Sequence, residues 1–242
     1  AKVYVNGQEV GYWPYGYNSF YFDITKQLMP GKKNTLAVRL ENLPESSRWY
    51  PGAGLYRNVH VIVTENAHIP VWGTYVTTPT ATKEFAKVNV RTQIVLLEGA
   101  DAGKYSVKTS VWNPNGQKLT EQTIPLSQIK YNDNSLSQEF IIQTPTLWSP
   151  DMPALYSAET RLYEGDQLKD IYTTPFGIRS IEIIPNKGFF LNGEKTVFKG
   201  VCNHHDLGPL GAAVNDAAIR RQIRILKDMG CNAIRTSHNM PA

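Results

Sequence analysis

The chain has 242 residues, and 25 Lys and Arg against 21 Asp and Glu leave a formal net charge of +4, spread without any basic run. Scattered charge of this kind reads as a solvated surface and argues against a nucleic-acid partner; no apolar run approaches the ~18 residues of a membrane span, which argues against a membrane partner. At roughly 100–200 residues per domain the length allows one or two domains, or more pieces where strand-rich sandwiches of about 100 residues are involved.

Ala1-Lys2-Val3-Tyr4-Val5 reads as a strand already under way. The N-terminus is therefore expected to be a cut end, and silence about targeting carries no weight. Asn6-Gly7 between Val5 and Val10 is a hairpin turn. Phe20 to Ile24 predicts a strand, Pro30-Gly31 a turn, and Thr35 to Leu40 alternates cleanly. Val59 to Val63 is expected to close this segment, residues 1–67, as a strand. Residues 68–182 predict a second strand-rich unit. Val88 to Ile94, Tyr105 to Val111, Phe140 to Ile142 and Tyr156 to Leu162 supply its strands, with Asn115-Gly116 as a hairpin. About a hundred residues of antiparallel pattern point to an immunoglobulin-like sandwich. It carries no His, Asp or Cys cluster and reads as a spacer.

The pattern changes from about residue 183. Asn192-Gly193 turns a small hairpin, and Thr196-Val197-Phe198 leads into Gly200-Val201-Cys202-Asn203-His204-His205-Asp206. Asn215 or Asp216 can cap a helix from Ala217 to Met229 that Gly230 ends. Ile219, Ile223, Leu226 and Met229 fall on one face of it. A second apolar run, Asn232-Ala233-Ile234, then leads into Arg235-Thr236-Ser237-His238-Asn239. Strand, helix, strand, with polar side chains at each strand exit, is the way a βα-barrel builds an active site.

If the two strands are parallel neighbours, His204, Asp206, Arg235 and His238 share one mouth. Neutral imidazoles, a carboxylate and a guanidinium can donate and accept hydrogen bonds to a hydroxyl-rich ligand, and Arg can tune a nearby carboxylate. The plainer reading is loop residues that satisfy backbone groups. A zinc site from His204, His205 and His238 is weighed against the opposite directions of adjacent side chains on a strand, and no metal is expected. The aromatic loop Tyr12-Trp13-Pro14-Tyr15-Gly16-Tyr17 could stack on sugar rings or pack between domains. Cys202 and Cys231 stand at opposite ends of successive strands, roughly 15 Å apart and beyond the ~7 Å reach of a disulfide. Both are expected to be buried thiols.

Asn232 to His238 closely resembles the signature of glycoside hydrolase family 2, the family of β-galactosidases, β-glucuronidases and β-mannosidases. Gly200 to Asp206, followed by Gly208, Leu210 and Gly211, is similar to its β-galactosidase branch. Ser47-Arg48-Trp49-Tyr50-Pro51-Gly52-Ala53-Gly54-Leu55-Tyr56-Arg57 resembles the end of the family's sugar-binding sandwich, and Phe176-Gly177-Ile178-Arg179 its junction into the barrel. Asn239-Met240-Pro241 departs from the Tyr-Pro that often follows the histidine.

The resemblance implies a mostly β chain in three parts: the C-terminal half of a jelly-roll sandwich (1–67), an immunoglobulin-like β-sandwich (68–182) and the first βαβ unit of a truncated TIM barrel (183–242). It implies retaining hydrolysis of β-galactosides, with His204, Asp206 and His238 in the sugar subsite and Arg235 beside the nucleophile. It also brings Trp13 and Arg48 to the pocket wall. The two catalytic glutamates would lie on later strands, so no catalytic residue is assigned here. Glu194, the sole glutamate after residue 183, lies in the entry hairpin and is not promoted. The expected partner is a carbohydrate, with no cofactor; a homo-oligomer and the compartment are left open. The alternatives are a β-glucuronidase of the same family and a non-catalytic carbohydrate-binding or scaffold protein.

Overall fold

The computed structural model describes residues 1–45, 53–97, 99–128 and 135–239. The chain forms two compact units, Ala1–His60 with Phe198–Ala242, and Val61–Val197.

The first unit opens with strands β1 (Lys2–Val5), β2 (Gln8–Tyr12) and β3 (Leu36–Arg39), in the order β2-β1-β3 and all antiparallel. Asn6 and Gly7 take positive φ at the β1–β2 turn, as the hairpin requires. The Asn6 side chain ties that turn to the Pro30-Gly31 region. Its Nδ2 donates to Gln27 O and to Asn34 Oδ1, and its Oδ1 accepts from Thr35 N. Two expected strands are not strands. Phe20 to Ile24 has no ladder partner among the described residues. Its aromatic rings pack instead, Phe22 against the bare backbone of Gly11 and Phe20 in a stack on Trp13 at 5.6 Å. Val59 to Val63 likewise pairs with no described strand and leaves Val59, Val61, Ile62 and Val63 exposed. Periodicity marked both runs as strand-like. A strand also needs a neighbour to take its backbone hydrogen bonds.

The second unit contains β4 (Ala67–His68), β5 (Thr74–Ala81), β6 (Phe85–Gln93), β7 (Val95–Leu96), β8 (Tyr105–Trp112), β9 (Lys118–Pro125), β10 (Ser135–Gln143), β11 (Tyr156–Glu164) and β12 (Gln167–Phe176). Two antiparallel sheets, β10-β6-β5 and β12-β11-β8-β9, form a sandwich. Every second residue of β6, β8, β10 and β11 is buried, which is the signature of a sheet with one covered face. Val88, Val90, Val111, Phe140, Ile142 and Ala158 fill one cluster, and Val107, Leu126, Leu136 and Leu162 fill a second. Each fully buried side chain of this size contributes roughly 1.5–3 kcal/mol. Buried Gln138 is satisfied on both sides: it accepts from Thr109 Oγ1 at 2.6 Å and donates to Gln122 O at 3.1 Å. The unit ends in a small meander of β13 (Ile181–Ile184), β14 (Gly188–Leu191) and β15 (Glu194–Lys195). Asn192 and Gly193 take positive φ at the last turn.

The first unit resumes with β16 (Gly200–Asn203), helix α1 (Asp216–Asp228) and β17 (Ala233–Thr236). Asn215 caps the helix through Oδ1, which accepts from Ala218 N at 2.9 Å, and Gly230 follows it with φ +85°. Ala218, Gln222 and Leu226 are its half-buried line, whereas Ile219, Ile223 and Met229 remain exposed. Among the described residues no helix is long and apolar enough to cross a membrane.

One carboxyl of the sandwich yields a pH test. Ser110 Oγ donates to Glu121 Oε2 at 2.7 Å, Lys118 Nζ lies 3.1 Å from the same oxygen, and Lys108 Nζ is 3.5 Å from Oε1. The Ser110 hydroxyl, then the Lys118 ammonium, hold this carboxyl at about 2, well below the usual range. A carboxyl depressed on folding stabilises above its unfolded pKa of about 4.3 and loses that contribution as pH falls towards its folded value. Ser110→Ala should therefore cost ~1 kcal/mol at pH 7. In thermal melts its deficit against wild type should narrow as pH drops from about 4.5 towards 2. A deficit independent of pH would contradict this account.

Candidate functional site

The site is built on one backbone ladder. β16 and β17 pair in parallel, with Gly200 opposite Ala233, Val201 opposite Ile234, Cys202 opposite Arg235 and Asn203 opposite Thr236. Gly200 has to be glycine, since a Cβ there would lie 2.2 Å from Ala233 O. Asn232 fixes the entry: its Oδ1 accepts from Lys199 N and its backbone N donates to Lys199 O, both at 2.8 Å. Ser237 N closes the exit by donating to Asn203 O at 2.7 Å.

Both strands end on the same side, so the polar residues after them meet. The rings of His204 and His238 lie edge to face with centroids 5.2 Å apart. Asp206 follows two residues past His204 and is half-buried. Ser237 is buried between two exposed residues, and the Ser237–His238 peptide is cis. Arg235 Nη1 donates to Ser237 Oγ at 3.2 Å and to Cys202 Sγ at 3.6 Å. The Arg235 guanidinium, and after it the Ser237 hydroxyl, hold the Cys202 thiol below its ordinary pKa. Cys202 and Cys231 are both free, as expected, but they are not buried. Cys202 is exposed and Cys231 half-buried, because no described element covers the sulfur-bearing face of β16.

His204 and His205, the two residues after β16, have different ring partners. His204 faces His238, whereas His205 meets the aromatic loop. The Tyr17 and His205 ring centroids are 4.8 Å apart at 70°, and Asn239 Nδ2 stands 3.4 Å from His205 Nδ1. Among the described residues no group of three His, Cys, Asp or Glu side chains is arranged to hold a metal.

Trp13 lies at the foot of the aromatic loop, not at its tip. It stacks on Phe20, and its Nε1 donates to Asn18 Oδ1 at 3.0 Å. Tyr17 is the loop residue that reaches the strand exits. The family resemblance points to Trp13 in this loop, and nothing in the local pattern singles out Tyr17. The loop is tied down by Tyr56 and Arg57, the last two residues of the motif expected to end the sugar-binding sandwich. Tyr56 Oη donates to Gly16 O at 2.6 Å and Arg57 Nη1 to Tyr17 O at 3.2 Å. Burial, helped by the neighbouring Tyr17 and Tyr15 phenols, raises the Tyr56 pKa above its usual 10 against the opposing pull of Arg57, so Tyr56 stays a donor. Arg48 and Trp49 lie outside the described residues.

Two family models match. Residues 67–179 match glycosyl hydrolases family 2, and residues 182–241 match the TIM barrel domain of that family. The chain is 42% identical to β-galactosidase BoGH2A of Bacteroides ovatus over 243 residues, covering 100% of this chain and 28% of that protein. It is 29% identical to a β-glucuronidase of Bacteroides fragilis, covering 98% of this chain and 36% of that protein. A crystal structure of a family 2 glycosyl hydrolase from Bacteroides cellulosilyticus superimposes with a TM-score of 0.92 at 37% identity, covering 100% of this chain and 31% of that one. The chain belongs to glycoside hydrolase family 2. It is mostly β, with the family's sandwich and one strand-helix-strand unit of its TIM barrel domain. It spans about a third or less of the length of these relatives.

Two outcomes follow from the ladder. Gly200→Ala should lower thermal stability by about 1–3 kcal/mol, the usual cost of forcing atoms into a filled space; an unchanged melting temperature would mean that the strands do not approach this closely. In a Cys231→Ser background, iodoacetamide should alkylate Cys202 several-fold faster at pH 7 than in the same protein carrying Arg235→Gln, because the guanidinium favours the thiolate. Equal rates would mean that Arg235 does not face the sulfur.

Proposed function

We propose that this chain serves a retaining glycoside hydrolase that acts on β-galactosides. His204, His238 and Asp206 hold sugar hydroxyls, and Arg235 keeps a neighbouring carboxylate ionised. The observation that carries this reading is the parallel pairing of β16 with β17. It brings the imidazoles of His204 and His238 together and sets Arg235 on the same ladder, with Asp206 two residues past His204 in the sequence. Imidazoles that both donate and accept suit a ligand with hydroxyls on several sides. Arg235 needs no proton exchange to do its part, since its charge is permanent.

Retention requires two carboxylates ~5–5.5 Å apart, one to attack the anomeric carbon and one to protonate the departing oxygen. The segments that follow β16 and β17 carry a single carboxylate, Asp206. On this reading the nucleophile and the proton donor are the glutamates that the family resemblance places on later barrel strands, and this chain supplies binding and electrostatic tuning. A β-galactosidase at 42% identity supports the galactoside assignment. The β-glucuronidase relative supports a second reading, in which the same exits hold a sugar with a carboxylate on C5.

The decisive assay is release of nitrophenol from aryl β-galactoside and aryl β-glucuronide. The 242-residue chain should release neither, since Arg235 and the histidines replace neither missing group. A protein that extends it through the remaining strands should favour the galactoside. In that protein His204→Ala or His238→Ala should lower kcat/KM by about 10–100-fold, the loss of one or two good polar contacts in the transition state. Preference for the glucuronide would overturn the galactoside reading in favour of the second. Turnover by the 242-residue chain that Arg235→Ala abolishes would overturn the assignment of the chemistry to other residues.

A further inference from the structure

We propose that His205 is a positioning residue. Its ring fixes the Tyr15-Gly16-Tyr17 loop at the exits of β16 and β17 and makes Tyr17 a specificity-determining wall of the carbohydrate subsite. The wall role rests on the glycoside reading above; the positioning role does not.

The loop has little order of its own. β2 ends at Tyr12, and from Trp13 to Phe20 the backbone is irregular. Pro14 and Gly16 interrupt it, and Gly16 has open space where a Cβ would be. What holds it comes from two directions. On its own sandwich, Tyr56 Oη and Arg57 Nη1 take the carbonyls of Gly16 and Tyr17. From the strand exits, the His205 ring meets the Tyr17 ring edge to face at 4.8 Å. His205 thus touches three separate segments: the loop, the β16 exit that carries it, and Asn239 after β17. Its neighbour His204 turns its ring to His238.

The consequence is chemical. Tyr17 carries Tyr15 beside it, with centroids 5.5 Å apart, so the loop presents an aromatic surface next to the His204–His238 pair. A pyranoside has an apolar C–H face, and aromatic rings offer it contact area at little conformational cost. Polar groups at the strand exits and an aromatic wall from the loop would grip the two faces of such a ring. A displaced Tyr17 would loosen the grip and leave the polar contacts unchanged.

The test reads the loop directly. Chymotrypsin cleaves after tyrosine, and cleavage of a native loop tracks the fraction of time it is open. His205→Ala should speed cleavage after Tyr15 and Tyr17 by about three- to tenfold, the ratio that an edge-to-face aromatic pair supports. His205→Phe keeps the ring contact and should cut at close to the wild-type rate, and His204→Ala should do the same. Unchanged cleavage in His205→Ala, or equal acceleration in His204→Ala, would overturn the positioning role. Should His205→Ala fail to fold, Tyr17→Leu decides instead. The ring-proton resonances of His205 should shift in it relative to wild type, and resonances that stay put would overturn the contact. In a protein active on glycosides, Tyr17→Leu should raise KM by a larger factor than it lowers kcat, and the reverse would overturn the wall. If the digestion result holds but no glycoside is cleaved by an extended protein, the functional reading fails and the latch stands.

Discussion

The close parallel approach of β16 to β17 is the constraint on which the rest of the site depends. Parallel strands cannot be joined by a tight turn, so the chain must cross back through a connection long enough for a helix. Asn215 starts that helix with its cap and Gly230 lets the chain leave it. Gly200 then admits the Ala233 carbonyl into space that any side chain would occupy. Asn232 reads the alignment one residue earlier by pairing with both backbone groups of Lys199. A slip of one residue would turn the sheet face of every side chain. It would also uncouple Arg235 from Cys202, which it faces across the ladder.

From that alignment the site's electrostatics follow. Arg235 is held by a serine hydroxyl and a sulfur, neither of which neutralises it. Its charge is thus left to act on whatever anion stands nearby, and the lowered pKa of Cys202 is a reporter of that field. The two histidines that follow β16 take different ring partners. One faces a second imidazole, and the other anchors the loop that follows β2. The β-sandwich of Val61–Val197 is organised by a different rule, period-two burial over two apolar clusters. None of the residues named at the strand exits comes from it.

Much of this was legible in the sequence, for identifiable reasons. Asn6-Gly7, Asn115-Gly116 and Asn192-Gly193 announce their turns because few other residues accept positive φ. The alternation through Val88 and Tyr105 announces a half-covered sheet, and Asn215 with Gly230 brackets the helix to within a residue. The polar residues after two apolar runs could be grouped because a parallel pair brings like ends together. Two kinds of feature were hidden. Phe20 to Ile24 and Val59 to Val63 have strand composition but no described partner, and pairing is a property of the fold, not of the segment. Tyr17 and His205 touch although they lie far apart in the chain, and the Trp13 ring, which the family resemblance brings to the pocket wall, stacks on Phe20. The exposure of Cys202 was missed for the same reason, because an apolar run says nothing about which of its faces is covered.

The central claim is that β16 and β17 run parallel in the stated register, and cross-strand nuclear Overhauser effects measure it most directly. Parallel strands bring the Hα of one close to the amide of the other and keep their Hα atoms apart, whereas antiparallel strands bring Hα atoms face to face. The account predicts Hα-to-amide cross-peaks linking Val201, Cys202 and Asn203 with the Ile234 to Ser237 segment, without strong Hα-to-Hα peaks between them. Strong Hα-to-Hα peaks between these runs, or cross-peaks displaced by one residue, would contradict it and take the shared exit of His204, Arg235 and His238 with them.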